Sequence, residues 1–174
     1  MSNNDEQVQG QNIDSAILIA EDDHDQRNLL IDFSMNQIKQ VLEDKTLNDQ
    51  QRQTLNNIQI MSVSNIASLK RAVAKNKNVI LAILDCNMPD TKDSPSHDQF
   101  IKTNHKITGQ HRSVDIVSGH LPNTPITIIS SLNRFRRIIN LYYKNKLGTE
   151  INFINKKDPS AIQKNIQHYL RQIL

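Results

Sequence analysis

The chain has one cysteine, Cys86, in 174 residues. A lone cysteine excludes an internal disulfide and fits a reducing compartment. It closes an apolar run, where a small buried residue is the ordinary role of a free thiol. Aromatic residues make up only 4%, so the core has to be built from aliphatic side chains. No stretch approaches the ~18 consecutive apolar residues that suggest a membrane span. The N-terminus, MSNNDEQVQGQN, has neither the basic nor the apolar region of a signal peptide, so the expected location is the cytoplasm, with no membrane partner. The formal net charge of +3 is too small to argue for nucleic acid by itself.

What is present points to one soluble domain. Hydrophobic residues are 37% and charged residues 22%, and the length suits a single core. Residues 1–14 read as a flexible tail and residues 15–174 as the folded domain. Five short apolar runs punctuate it: residues 16–20 (AILIA), 58–63 (IQIMSV), 79–84 (VILAIL), 126–130 (ITIIS) and 151–155 (INFIN). Each is rich in Ile or Val and too short for an ordinary helix, which suits strands covered on both faces.

Helical spacing lies between the runs. Ile31, Met35, Ile38 and Leu42 share one face, and Asp23 with Gln26 has the spacing of a capping box at that helix's start. Ile66, Leu69 and Val73 follow the second run, Val114, Val117 and Leu121 the third, and Phe135, Ile138, Ile139 and Tyr142 the fourth. Ile162, Ile166, Leu170 and Ile173 form a terminal amphipathic helix, started by Asp158 as cap and Pro159 as its first residue. Five strand–helix repeats predict an α/β fold, a doubly wound five-stranded parallel sheet of the flavodoxin-like kind.

Two segments exceed this plan. Residues 43–57 separate the first helix from the second strand. Residues 90–112 form an insertion after the third strand, with turn-formers (Asp90, Asp93, Ser94, Pro95) and a possible short helix at 98–105 carrying Phe100 and Ile101. Connections longer than ~12–15 residues inside compact domains are usually functional or disordered. A lid or docking element is expected here, the alternative being an insertion tolerated because long surface loops cost little stability.

The polar residues just past the strands carry the chemistry. Glu21, Asp22 and Asp23 follow the first strand, Asp85 ends the third, Ser130 and Ser131 end the fourth, and Lys156 and Lys157 follow the fifth. A parallel sheet brings all of these to one edge, where such folds bind ligands. Crowded carboxylates repel one another, and a hard divalent cation is the natural counter-charge. A carboxylate is also a competent nucleophile toward a phosphoryl group, whose oxygens then need neutralising charge from a metal and a lysine.

At this edge the sequence resembles the receiver domains of response regulators. ILIAEDD (17–23) is similar to their first strand and acidic pair, and LDCNMPD (84–90) to the segment with their phosphoacceptor aspartate. PITIISS (125–131) resembles their fourth strand, and FINK (153–156) their fifth, with its switch aromatic and lysine. The resemblance implies a phosphoryl acceptor at Asp85 and a bound Mg2+. Asp22 is then a direct ligand, Glu21 acts through water or helps position the ion, and Asn87 contributes its backbone carbonyl. Ser130 hydrogen-bonds the phosphoryl group, Lys156 pairs with it, and Phe153 reorients when Ser130 moves. The implied partners are a histidine kinase or histidine phosphotransfer protein and a downstream protein target. The last helix runs to Leu174, so no DNA-binding output domain is expected, nor any enzymatic turnover beyond slow self-dephosphorylation. Two positions depart from the pattern: Lys157 stands where the family usually has proline, and the Asp-Gly that shortly follows Met-Pro is replaced by the insertion.

Each residue alone has an ordinary reading. Acids before a helix are common caps, Asp85 to Pro89 suits a turn, and lone serines and lysines say little. Joint placement at four strand ends favours the site. His97, His105, His111 and His120 match no standard zinc spacing. Arg134, Arg136, Arg137, Lys144 and Lys146 suit a solvated or protein-binding face better than a DNA site. The functional alternatives are a phosphorelay intermediate, a degenerate receiver serving as a phosphorylation-independent scaffold, and a magnesium-dependent hydrolase. Hydrolases of that kind usually carry a second aspartate two residues after the nucleophile, where this chain has Asn87.

Overall fold

The computed structural model of the chain describes residues 15–85, 88–91, 112–131 and 151–174. The elements run β1 (Ala16–Ala20), α1 (His24–Leu42), α2 (Asp49–Asn56), β2 (Gln59–Val63), α3 (Ile66–Lys75), β3 (Val79–Asp85), α4 (Arg112–His120), β4 (Ile126–Ser130), β5 (Asn152–Asn155) and α5 (Pro159–Gln172). The five strands form one sheet in the order β2-β1-β3-β4-β5, every pair parallel. From β1 the chain winds outward to β2, then returns past β1 to β3. The strand order therefore reverses between β1 and β3, and the carboxyl edge at such a reversal is where open parallel sheets bind their ligands.

Burial follows from this order. β1 and β4 are buried along their whole length, whereas β2, at the sheet edge, is half-covered. Strand alternation sends successive side chains to opposite faces. Leu18, Ala20, Ala82, Leu84, Ile128 and Phe153 pack on α3 and α4. Ile17, Ile19, Leu81, Ile83 and Ile129 pack on α1 and α5, joined by Leu55 of α2. The core is aliphatic, as the scarcity of aromatic residues demands.

Helix starts agree with their local signals. The Asp23 carboxylate accepts the Gln26 amide at 2.9 Å, and Asp158 accepts that of Ala161 at 3.0 Å with Pro159 in the first turn. The face of α1 differs from expectation. Leu30, Ser34, Gln37 and Val41 are buried, while Met35 is 46% exposed and Ile31, Ile38 and Leu42 only border the core. Both sets have spacings of four, three and four, so a rotation of one residue (about 100°) exchanges them. The set that includes Ser34 and Gln37 is the one turned inward, with Leu30 and Val41 in one cluster with Ile162, Ile166 and Leu170 of α5.

Residues 43–57, expected only to be long, contain α2. Asn48 and Gln51 make a reciprocal capping box at 2.9 and 3.0 Å. Arg52 donates to the carbonyls of Leu42 and Asp44 at 2.6 and 2.8 Å, tying α2 to the end of α1. Thr46 hydrogen bonds, aided by Arg171 of α5, hold the Asp44 carboxyl down at about 2. The expected tail (1–14), Cys86, the insertion beyond Thr91, its histidines, and the basic helix expected around 135–142 lie outside the described residues.

Candidate functional site

Three side chains continue the alternation of the α1–α5 face at the carboxyl ends of their strands. Glu21 follows Ile17 and Ile19, Asp85 follows Leu81 and Ile83, and Lys156 follows Ile154. They consequently converge. Lys156 Nζ lies 2.9 Å from Asp85 Oδ2, 3.0 Å from Glu21 Oε1 and 2.8 Å from Glu21 Oε2. Glu21 is fully buried, Asp85 is 5% exposed, and the lysine side chain is 18% exposed. The Lys156 amide donates to the Ser130 carbonyl at 3.2 Å, which fixes the end of β5 against the end of β4.

Asp22, half-exposed, completes an acidic group. One oxygen each from Glu21, Asp22 and Asp85 lies within 4.8 Å of the others. Glu21 Oε2 is buried and accepts no hydrogen bond, its contact with the ammonium being ionic only. An all-carboxylate donor set with an unsatisfied buried oxygen fits a hard divalent cation. Ser130 is buried at the end of β4, and Phe153 is buried in the core on the α3–α4 side, the face that the alternation of Ile128 gives to Ser130. The structure thus brings Glu21, Asp22, Asp85 and Lys156 together, with Ser130 on the adjoining strand end. Asn87 lies outside the described residues.

The electrostatics are those of a site short of positive charge. Burial pushes the Glu21 carboxyl up to about 7, and the Asp85 charge adds to this against the opposing pull of Lys156. Burial also pulls the Lys156 ammonium down, but Asp85 and Glu21 outweigh it and hold it above the ordinary lysine value. A carboxyl at 4.5 in the unfolded chain and about 7 in the fold binds more protons in the native state between those values. Its contribution to stability therefore falls as pH rises from 4.5 through 7, the reverse of a salt-bridged carboxylate. A cation competes with that proton. Thermal stabilisation by Mg2+ is expected to be small at pH 5 and larger at pH 8, with each kcal/mol worth about 2–4 °C. Equal shifts at both values, read by differential scanning fluorimetry, would count against Glu21 as a ligand in this acidic group.

Two neighbours were not apparent in the sequence. The Ser113 hydroxyl, at the start of α4, donates to the buried Asp85 carbonyl at 2.8 Å. The Ile66 and Ala67 amides donate to Pro89 and Asp90 at 2.9 and 3.0 Å, and Arg112 pairs with Asp90. The two ends of the insertion are thereby joined beside β3. Ser113→Ala is expected to cost about 1 kcal/mol in urea unfolding, the net value of one such bond. The second neighbour is Arg27, whose guanidinium reaches back to the carbonyls of Glu21 and Asp22. One signal was available for it: a cation in the first turn of a helix opposes the dipole and needs compensation.

No protein-family model matches the chain, and no curated protein matches its sequence. Solved structures do match. The receiver domain of the stress response regulator RcsB from Escherichia coli is 14% identical, with a TM-score of 0.53 over 91% of this chain and 95% of that one. The chemotaxis response regulator CheY4 of Vibrio cholerae is 13% identical, with a TM-score of 0.50 over 89% and 98%. A response regulator receiver domain protein from Clostridium thermocellum is 10% identical, with a TM-score of 0.50 over 92% and 99%. The chain has the receiver fold. Among the described residues, no helix is long and apolar enough to cross a membrane.

Proposed function

We propose that this receiver fold works as a phosphoryl acceptor in two-component or phosphorelay signalling, modified on Asp85 with Mg2+ bound and acting through protein contact. The observation that carries the reading is the Lys156 ammonium between Asp85 and Glu21 at 2.9 and 2.8 Å, with Asp22 beside them. Such a group has a nucleophile, a cation for the transferred charge and a place for a metal.

The donor is a phosphohistidine of a histidine kinase or histidine phosphotransfer protein. An Asp85 carboxylate oxygen attacks phosphorus, the P–N bond breaks, and the leaving imidazole nitrogen takes a proton from solvent. Lys156 turns from two carboxylates to the phosphoryl oxygens, and Ser130 donates a hydrogen bond to one of them. Glu21, Asp22 and Asp85 would hold the ion, with the Asn87 carbonyl the further donor that the sequence resemblance implies. When bound, Mg2+ neutralises charge on the phosphoryl group and relieves the repulsion among the carboxylates. Movement of Ser130 frees Phe153 to change its packing, and a protein target reads that change. The chain is a stoichiometric acceptor, losing its phosphoryl group slowly to water.

Incubation with a small acyl-phosphate donor and Mg2+ is the test. One phosphoryl group should be gained by intact mass, and a chelator should prevent it. Saturable Mg2+ binding with no mass gain from any donor would instead make the chain a phosphorylation-independent scaffold.

A further inference from the structure

We infer that Arg27 is a positioning residue for the metal site, acting through the backbone of Glu21 and Asp22 and not as a ligand. The inference rests on the metal-binding reading of the acidic group. Arg27 Nη1 donates to the Glu21 carbonyl at 2.7 Å and to the Asp22 carbonyl at 3.1 Å. These two peptide groups carry two of the three carboxylates. The bonds close a cycle around the β1–α1 junction. The Asp23 amide donates to Glu21 Oε1 at 3.2 Å, the Arg27 amide donates to the Asp23 carbonyl at 2.9 Å, and the Arg27 guanidinium returns to Glu21. The Glu21 amide is meanwhile held by the Val63 carbonyl at 3.0 Å.

The junction needs such a clamp. Neighbouring Glu21 and Asp22 side chains must both face Asp85, although successive residues of an extended strand point to opposite sides. The chain has to leave the strand conformation at Glu21 and stay in one bent geometry while like charges push its side chains apart. A guanidinium can hold both carbonyls from one side and supplies the positive charge that such a geometry lacks. Its position in the first turn of α1 is opposed by the helix dipole, a cost that the two carbonyl acceptors offset.

Two roles make opposite predictions for Mg2+ affinity. If Arg27 acts only as a nearby positive charge, removing it should tighten cation binding. If it positions the acidic pair, removing it should weaken binding, by about tenfold on the scale of groups that orient metal ligands. The experiment is calorimetric titration of the full chain with MgCl2, comparing wild type, Arg27→Met and Arg27→Lys. Folding is checked by far-ultraviolet circular dichroism, and Kd is compared at a temperature where all three are native. Weaker binding in both variants is expected, the lysine retaining charge but ending one bond short of the nitrogen, Arg27 Nη1, that reaches both carbonyls. Unchanged or tighter binding in Arg27→Met, or wild-type affinity in Arg27→Lys, overturns the positioning role while leaving the metal site intact. Wild type without saturable binding overturns the metal reading and this inference with it.

Discussion

Asp85→Ala is expected to lose the magnesium-dependent mass gain completely, because no other carboxylate among the described residues has the same surroundings. Glu21 is fully buried, and Asp22 has no ion pair to Lys156 among the described residues. Asp85 is paired with the ammonium at the end of β3 and keeps slight exposure, 5%. The usual objection to a null variant is misfolding, and here electrostatics argue against it. Burial and the Asp85 charge together raise the Glu21 carboxyl to about 7. Removing Asp85 lifts the second of these and leaves Lys156 to Glu21 alone. The variant should therefore be at least as stable as wild type in metal-free buffer. Chemical denaturation alongside intact-mass measurement checks both halves, and a full mass gain in Asp85→Ala would place the acceptor elsewhere.

Lys156→Met is expected to produce the largest loss of stability of any single change at the site. It leaves Glu21 and Asp85 facing each other in a buried crevice with no cation. Breaking a buried pair by removing one partner costs about 3–5 kcal/mol. Protonation of Glu21 provides an escape, so the cost depends on pH. The lysine itself is raised from 10.5, so its own contribution is fully present below that value and constant between pH 5 and 8. Any pH dependence of the loss in that range therefore comes from the carboxylates. In metal-free urea unfolding the loss should be largest at pH 8 and smaller at pH 5, where Glu21 carries a proton. Adding Mg2+ at pH 8 should recover part of it. A loss of equal size at both pH values would show that Lys156 acts by packing, not as the counter-charge.

Much of this arrangement was legible in the primary structure. The β-runs at 16–20, 79–84 and 126–130 appear as β1, β3 and β4, with β3 extended to Asp85 itself. Their continuous Ile, Leu and Val content has one stable use in a chain of this length, a sheet covered on both faces. The juxtaposition of Glu21, Asp22, Asp85 and Lys156 followed from the same pattern, since a parallel sheet gathers its strand ends on one edge. The first helix shows the limit. Two apolar or small stripes one residue apart had identical spacing, and periodicity cannot choose between them. Tertiary packing buries Leu30, Ser34, Gln37 and Val41, with Leu30 and Val41 in one cluster with the apolar residues of α5.

What the sequence determined by itself was the order of strands and helices, the edge on which Glu21, Asp22, Asp85, Ser130 and Lys156 gather, and the aliphatic character of the core. These depend on local pattern and on the two-residue period of a strand. What only the tertiary structure decided was the pairing within the gathered set. That Lys156 spans Glu21 and Asp85, that Ser113 holds the Asp85 carbonyl and that Arg27 clamps the β1–α1 junction depends on which side chains lie within 3 Å or so, the reach of a hydrogen bond. Residues 21, 85 and 156 are far apart in the chain, and only the order of strands in the sheet brings them that close.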